Sequence, residues 1–414
     1  MNGGLVAVLG NRSYRRLFTA QAIALTGTGL LTVALGLLAF DLAGSEAGSV
    51  LGTALTIKMI AYVGVAPLAA AAAERLSPRA VLIGADTVRG LAALGLPFVD
   101  DVWQVYVLVF VLQCASATFT PTFQATIPAI LADESQYTRA LSLSRLAYDL
   151  EAIASPILAA ALLSFVAFSD LFVGTAVGFA VSAVIVALTT VPPRAAVSPS
   201  STFWGRTLAG VRVFARSRSL RFLLLMNLVV ASGTALVLVN TVVYVKELLL
   251  LDDSALALTY AAFGAGSLGV ALVVPVIIEK WGVTRPMLAG GATVVAALAG
   301  AAAFTAVAPR GDGAWACLLL VWALLGAGTS LISTPSARLL LAASTEQNRT
   351  LVYTAQFSLS HACFLLTYPL AGWTGAWMLS AAVAALLAIA VLGTLAAARA
   401  SRPERAVGPP SEIR

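Results

Sequence analysis

Arg145-Leu-Ala-Tyr148-Asp149-Leu-Glu151-Ala-Ile-Ala-Ser155-Pro156-Ile-Leu-Ala159-Ala160 is the stretch whose reading decides the fold. Arg145, Asp149 and Glu151 stand within two helical turns of a segment otherwise apolar enough to enter a bilayer, and a proline follows among small residues. A charge at membrane depth costs at least about 2.5–3.5 kcal/mol on insertion scales, so one that is kept there marks a candidate functional site.

The rest of the chain supplies the membrane setting. Its 414 residues are 60% hydrophobic and only 11% charged, with a mean hydropathy of +0.94. Soluble domains run at about 45–50% apolar and about 25% charged. Apolar runs long enough to cross a bilayer recur along nearly the whole sequence, leaving no room for a soluble domain. They predict twelve membrane helices, near 17–40, 50–73, 80–98, 103–128, 138–165, 170–191, 221–245, 255–278, 286–307, 314–341, 350–371 and 375–398.

Loop charge predicts the orientation. With both termini in the cytoplasm, twenty of the twenty-five basic residues fall inside, Lys246 and Arg310 fall outside, and Lys58, Arg89 and Arg145 lie within segments. That is the positive-inside pattern. The net charge of +6 is thereby explained without nucleic acid, and the Arg12-Arg15-Arg16 cluster reads as an anchor before a retained first helix. Cys114, Cys317 and Cys363 all lie in apolar segments, so neither a disulfide framework nor a metal site is expected.

The halves look like copies. Glu74-Arg75-Leu-Ser77-Pro78-Arg79 has a counterpart in Glu279-Lys280-Trp-Gly282-Val-Thr-Arg285. Pro121 and Pro156 are 35 residues apart, and Pro335 and Pro369 are 34 apart. The fold class expected is an all-α integral membrane protein of two pseudo-symmetric six-helix bundles. These are 1–191 and 221–398, joined by a linker with an amphipathic surface helix at 192–220 and followed by a cytoplasmic tail at 399–414. Carriers commonly place their site near mid-membrane between such repeats.

On these residues the chain resembles the major facilitator superfamily over about residues 12–400, with Glu74–Arg79 a degenerate form of its hallmark loop between helices two and three. Asp86-Thr-Val-Arg89-Gly90, the Phe203-Trp204…Val213-Phe214 stretch and Leu220-Arg221 resemble its bacterial branch of macrolide-efflux and enterobactin-exporter proteins. Ser155-Pro156-Ile-Leu-Ala159-Ala160 is similar to the superfamily's antiporter signature, with small residues in place of glycines. The resemblance implies a plasma-membrane exporter of a small amphipathic molecule, exchanging it for protons by alternating access. An importer or uniporter is the alternative.

The residues divide into three groups. For proton coupling the candidates are Glu151, Asp149, Lys58 and His361. Asp149 and Arg145, four apart, share a helix face and can pair. Glu151 points roughly 200° away from Asp149 at about 3.6 residues per turn, and burial penalises its charged form, which suits a proton carrier. His361 is either a relay or a neutral histidine bonded to a neighbouring hydroxyl. For substrate contact the candidates are Gln21, Thr26, Gln113, Asn227, Asn240 and Lys58, with interhelical bonding as the other reading of the uncharged ones. Phe119, Phe123 and Tyr244 are candidate lining or packing aromatics. For gating, the resemblance implies a latch among Glu74, Arg75, Arg79, Asp86 and Arg89, with Arg145 bracing its helix. One histidine and no nucleophile triad argue against an enzyme; no cofactor is expected, and the partners expected are substrate, protons and lipid around a monomer.

Overall fold

The computed structural model describes residues 5–65, 76–131, 134–191, 212–309, 311–344 and 349–401. The described residues form twelve long α-helices. They are α1 (Arg12–Ala43), α2 (Ala47–Ile60), α3 (Pro78–Gly95), α4 (Val102–Ile130), α5 (Glu134–Leu163) and α6 (Phe168–Ala187), then α7 (Arg218–Val242), α8 (Asp253–Trp281), α9 (Thr284–Val307), α10 (Asp312–Ala342), α11 (Arg349–Trp377) and α12 (Leu379–Ser401). Helices α2 and α7 each run on into a π-helical turn, at Ala61–Val65 and Val243–Leu248. Most of the expected linker (192–211) and tail (402–414) lies outside the described residues.

Nine stretches of the described residues are long and apolar enough to cross a membrane, rather than twelve. The first, Arg12–Gly64, holds both α1 and α2, so the nine account for ten helices. The two left over are α5 and α11. Helix α5 is only partly covered by the described residues, which leave Ala154–Leu163 as its apolar stretch, and Gln356, Ser358, Ser360 and His361 interrupt α11.

Side chains at the helix ends explain why the helices start and stop where they do. Asn11 accepts bonds from the amides of Ser13 and Tyr14, Ser77 caps α3 ahead of Pro78, and Ser217 and Asp252 cap α7 and α8. At the other end of α6, Arg16 donates to the Leu188 carbonyl at 2.6 Å and Arg79 to that of Ala187. Arg218 treats α12 alike, donating to the Ala400 carbonyl at 2.5 Å. A cation there answers both the unpaired carbonyls and the negative end of the helix dipole.

Large apolar side chains face outward on many helices; Leu91, Val177, Leu272 and Leu392 are all more than half exposed. Such a surface suits hydrocarbon rather than water. Inside, α1–α6 pack mainly on one another, as do α7–α12, while α2 against α11 and α5 against α8 are the principal joins. Those joins are tightest at the end where α1 gives way to α2. There Gly52 and Gly372 meet so closely that a Cβ on Gly52 would lie 2.8 Å from the Gly372 Cα. Trp373 Nε1 donates to Thr53 Oγ1 at 3.0 Å, and Ser254 Oγ to the Ala160 carbonyl at 3.5 Å.

Candidate functional site

Three of the predicted coupling residues come together. Lys58 stands eleven residues into α2, which at about 1.5 Å per residue is roughly the middle of a bilayer of about 30 Å. Glu151 is twelve residues from the end of α5, and His361 twelve from the start of α11. Lys58 interacts electrostatically with both Glu151 and His361. The cluster thus draws α2 and α5 from the first six helices together with α11 from the last six.

Local structure positions each member. Glu151 lies against α1 at Gly29, where an added Cβ would fall 2.4 Å from Glu151 Oε1 and 2.1 Å from Ser155 Cβ. Only a residue without a side chain leaves that carboxyl its place. His361 Nδ1 lies 2.7 Å from the Phe357 carbonyl one turn earlier. A carbonyl only accepts, so Nδ1 carries the proton in that bond and Nε2 is left for other partners. The Tyr62 ring stacks on His361, centroids 5.6 Å apart and 10° from parallel, and Phe357 covers it at 4.1 Å. Lys58 Nζ stands 6.0 Å from the Tyr62 ring centre. Tyr62 belongs to the π-helical turn of α2, a kind of irregularity that often occurs at functional sites.

The uncharged candidates take other places. Ser144 of α5 donates to Gln21 Oε1 at 3.2 Å, and Asn227 Nδ2 donates to Gln356 Oε1 of α11 at 3.1 Å. Asn240 is wholly buried in the α2–α7–α11 join: its Nδ2 donates to the Ala371 carbonyl at 3.3 Å, and its Oδ1 faces Gly48 and Gly375. These three make interhelical contacts. Thr26 returns its hydroxyl to the Ala22 carbonyl, and Gln113 is half-buried on α4. Tyr244 is buried edge-on to Trp322 and bonded to Thr305, and Phe123 is buried against Phe119.

Of the gating candidates, Glu74 and Arg75 lie outside the described residues, as do the side chains of Arg145 and Asp149. Arg79 caps α6. Asp86 and Arg89 form a buried ion pair on α3. Ser182 of α6 donates to Asp86 Oδ2 at 2.7 Å, and the Arg89 guanidinium lies between Phe119 at 4.2 Å and Phe179 at 4.4 Å. These partners are on α3, α4 and α6, so the pair braces three neighbouring helices.

Reading the sequence did not single out Tyr62, Phe357 or Gly29. Tyr62 and Phe357 sit one turn from Lys58 and His361, a spacing that was available. Nothing local distinguished Gly29 from its many neighbours of the same type. Among the described residues no cluster of His, Cys, Asp or Glu is arranged to hold a metal ion.

No curated protein matches the chain closely. Solved structures match it in fold. A nucleoside transporter, NupG, gives a TM-score of 0.72 at 12% identity over 94% of this chain and 99% of its own. A POT family transporter in complex with 5-aminolevulinic acid gives 0.74 at 11% over 95% and 97%. A bacterial homologue of the iron transporter ferroportin, in an inward-facing state, gives 0.69 at 14% over 94% and 99%. At such identities the likeness concerns the fold alone. The sequence itself matches the family described as Major Facilitator Superfamily over residues 17–311. Together with its apolar helices, that match makes the chain a multi-pass membrane transporter belonging to the major facilitator superfamily.

Proposed function

We propose that the chain is a proton-coupled secondary transporter of a small amphipathic organic molecule, working by alternating access with Glu151 as the proton-carrying group. One observation carries this reading: Lys58, Glu151 and His361 meet at mid-helix depth where the two sets of six helices join. A charged cluster there senses both protons and the relative position of the two sets, which are read as bundles 1–191 and 221–398 of a monomer. If the arginine-rich ends face the cytoplasm of a plasma membrane, the tight Gly52–Gly372 join closes the outer side and the cluster is reached from within.

Export by proton antiport is the direction supported by the Ser155-Pro156-Ile-Leu-Ala159-Ala160 stretch and by the efflux-branch resemblance. Import is a second reading, favoured by the cation beside the acid. The test uses vesicles of both orientations and a panel of fluorescent amphipathic dyes and organic acids. Export predicts gradient-driven uptake into everted vesicles; import predicts it into right-side-out ones. Glu151→Gln is expected to abolish it in either case. Flux that ignores the proton gradient in both orientations, with Glu151→Gln like wild type, would falsify the proton coupling.

A further inference from the structure

We infer that Lys58 is the anchor for the negative group of an organic anion carrying a flat ring, and that this anion binds together with a proton. The inference rests on the reading of Glu151 as the proton carrier and assigns the substrate class to the same site.

Three observations lead there. Among the described residues Asp86–Arg89 and Lys246–Asp253 are ion pairs in contact, whereas Lys58 and Glu151 act on each other across a gap. A gap between opposite charges in a low-dielectric interior leaves room for a third charged group. Next, a flat aromatic surface adjoins Lys58: Tyr62 stacked on His361 and His361 covered by Phe357. Finally, the ionisable residues on the surrounding elements are few. Helix α1 carries none between Arg16 and Asp41 and meets Glu151 with Gly29. Helix α8, packed on α5, carries only Tyr260 between Asp253 and Glu279. Helix α4, packed on α2, carries Tyr106 and Cys114, and α11 carries Tyr353, His361, Cys363 and Tyr368 beyond its first residue. Helix α5 itself carries Arg139 nearer its start, and Arg145, Tyr148 and Asp149, whose side chains lie outside the described residues. Lys58 is therefore the basic group that acts on Glu151 among the described side chains.

The coupling follows from charge alone. A carboxylate entering the gap is attracted by Lys58 and repelled by an ionised Glu151. Protonating Glu151 removes the repulsion and leaves Lys58 in need of a counter-charge. Anion and proton thus strengthen each other's binding, and by linkage by the same factor. A cationic molecule meets Lys58 unfavourably in either state. The loaded carrier holds both species and the empty one neither, so proton and anion travel in the same direction, which is the import reading of the proposed function and not the antiport one.

The experiment is a thermal-stability screen of the detergent-purified protein. The probes are benzoate, salicylate and naphthoate, their primary amides, and benzylamine, at about pH 5.5 and about pH 8. The expected result is stabilisation by the acids alone, with apparent affinity about tenfold greater at the lower pH, a factor typical of coupled sites. Lys58→Met should remove it and Lys58→Arg should keep it; Glu151→Gln should make it independent of pH. Acids that stabilise no better than their amides, or a preference for benzylamine, overturn the inference without any appeal to a variant that fails to fold. Acid-selective binding that needs Lys58 but ignores pH in wild-type protein keeps the anion site and removes the proton from Glu151.

Discussion

The first six helices and the last six make the same contacts with different chemistry. Gln21 on α1 meets Ser144 on α5, and Asn227 on α7 meets Gln356 on α11. Arg16 caps the end of α6, and Arg218 caps the end of α12. Helices α3 and α6 are tied by Asp86 and Ser182; at the matching level of α9 and α12, Gly291 faces Thr394. The scaffold repeats while the charge does not. Lys58, Asp86, Arg89 and Glu151 are all in the first set, and the second offers the cluster His361 with its aromatic cover. The second set holds itself together by close approach instead. A Cβ on Gly266 would fall 1.9 Å from the Ala323 carbonyl oxygen, and one on Gly326 would fall 1.9 Å from that of Phe263. One set therefore concentrates its ionised groups and the other packs backbone against backbone, which fits a division between a titrating face and a rigid partner.

The largest effect expected from disturbing this contrast is at α3. Asp86→Asn removes the carboxylate that pairs with the Arg89 charge buried between two rings, which should cost about 3–5 kcal/mol. Thermal unfolding in detergent should show a marked drop. Asp86→Leu combined with Arg89→Met, which replaces the pair by apolar groups, should recover most of it. If the single and double variants unfold alike, the pair is not what braces α3, α4 and α6.

A smaller loss is expected at the glycine crossing of the second set. Gly326→Ala puts a methyl into a backbone carbonyl and forces α8 and α10 apart, an overpacking cost of about 1–3 kcal/mol. The control lies in the first set. A Cβ on Gly90 of α3 would stand 3.6 Å from the Ala176 carbonyl oxygen, an ordinary contact. Gly90→Ala should therefore be neutral or slightly stabilising, because alanine is the better helix former by about 0.8–1.0 kcal/mol. Equal losses in the two variants would erase the distinction between the sets.

What could be read in the sequence was whatever is costly in lipid. Lys58, Glu151 and His361 stood out because polar groups at membrane depth are expensive, and the arginines because they follow loop sidedness. Partners were harder to see. Gln21 was legible as a polar group, but Ser144, 123 residues away, was not legible as its acceptor's donor. Asp86 and Arg89 looked like members of a latch with the loop at Glu74–Arg79, since sequence places them on the same helix end. Only packing reveals that Phe119, Phe179 and Ser182 enclose them. The stacking of Tyr62 depends on a π-helical turn that hydrophobic periodicity does not encode, and Gly29, Gly266 and Gly326 are hidden among 33 glycines.

The smallest effect is also the most direct test of the repeat. If Gln21–Ser144 and Asn227–Gln356 are one contact made twice, removing either should cost the same, about 0.6 kcal/mol for an interhelical bond in a membrane. Gln21→Leu and Asn227→Leu should thus lower the unfolding temperature slightly and by similar amounts. Double-mutant cycles with Ser144→Ala and Gln356→Leu should return coupling energies of that size. The transport readout should separate the two roles left open for these residues. Interhelical bonds cost stability and leave apparent substrate affinity alone, whereas a group that touches substrate weakens affinity at unchanged stability. Asn227 is only half-buried and Gln21 is nearly closed off, so a loss of affinity confined to Asn227→Leu would show that the duplicated contact has been put to use on one side only.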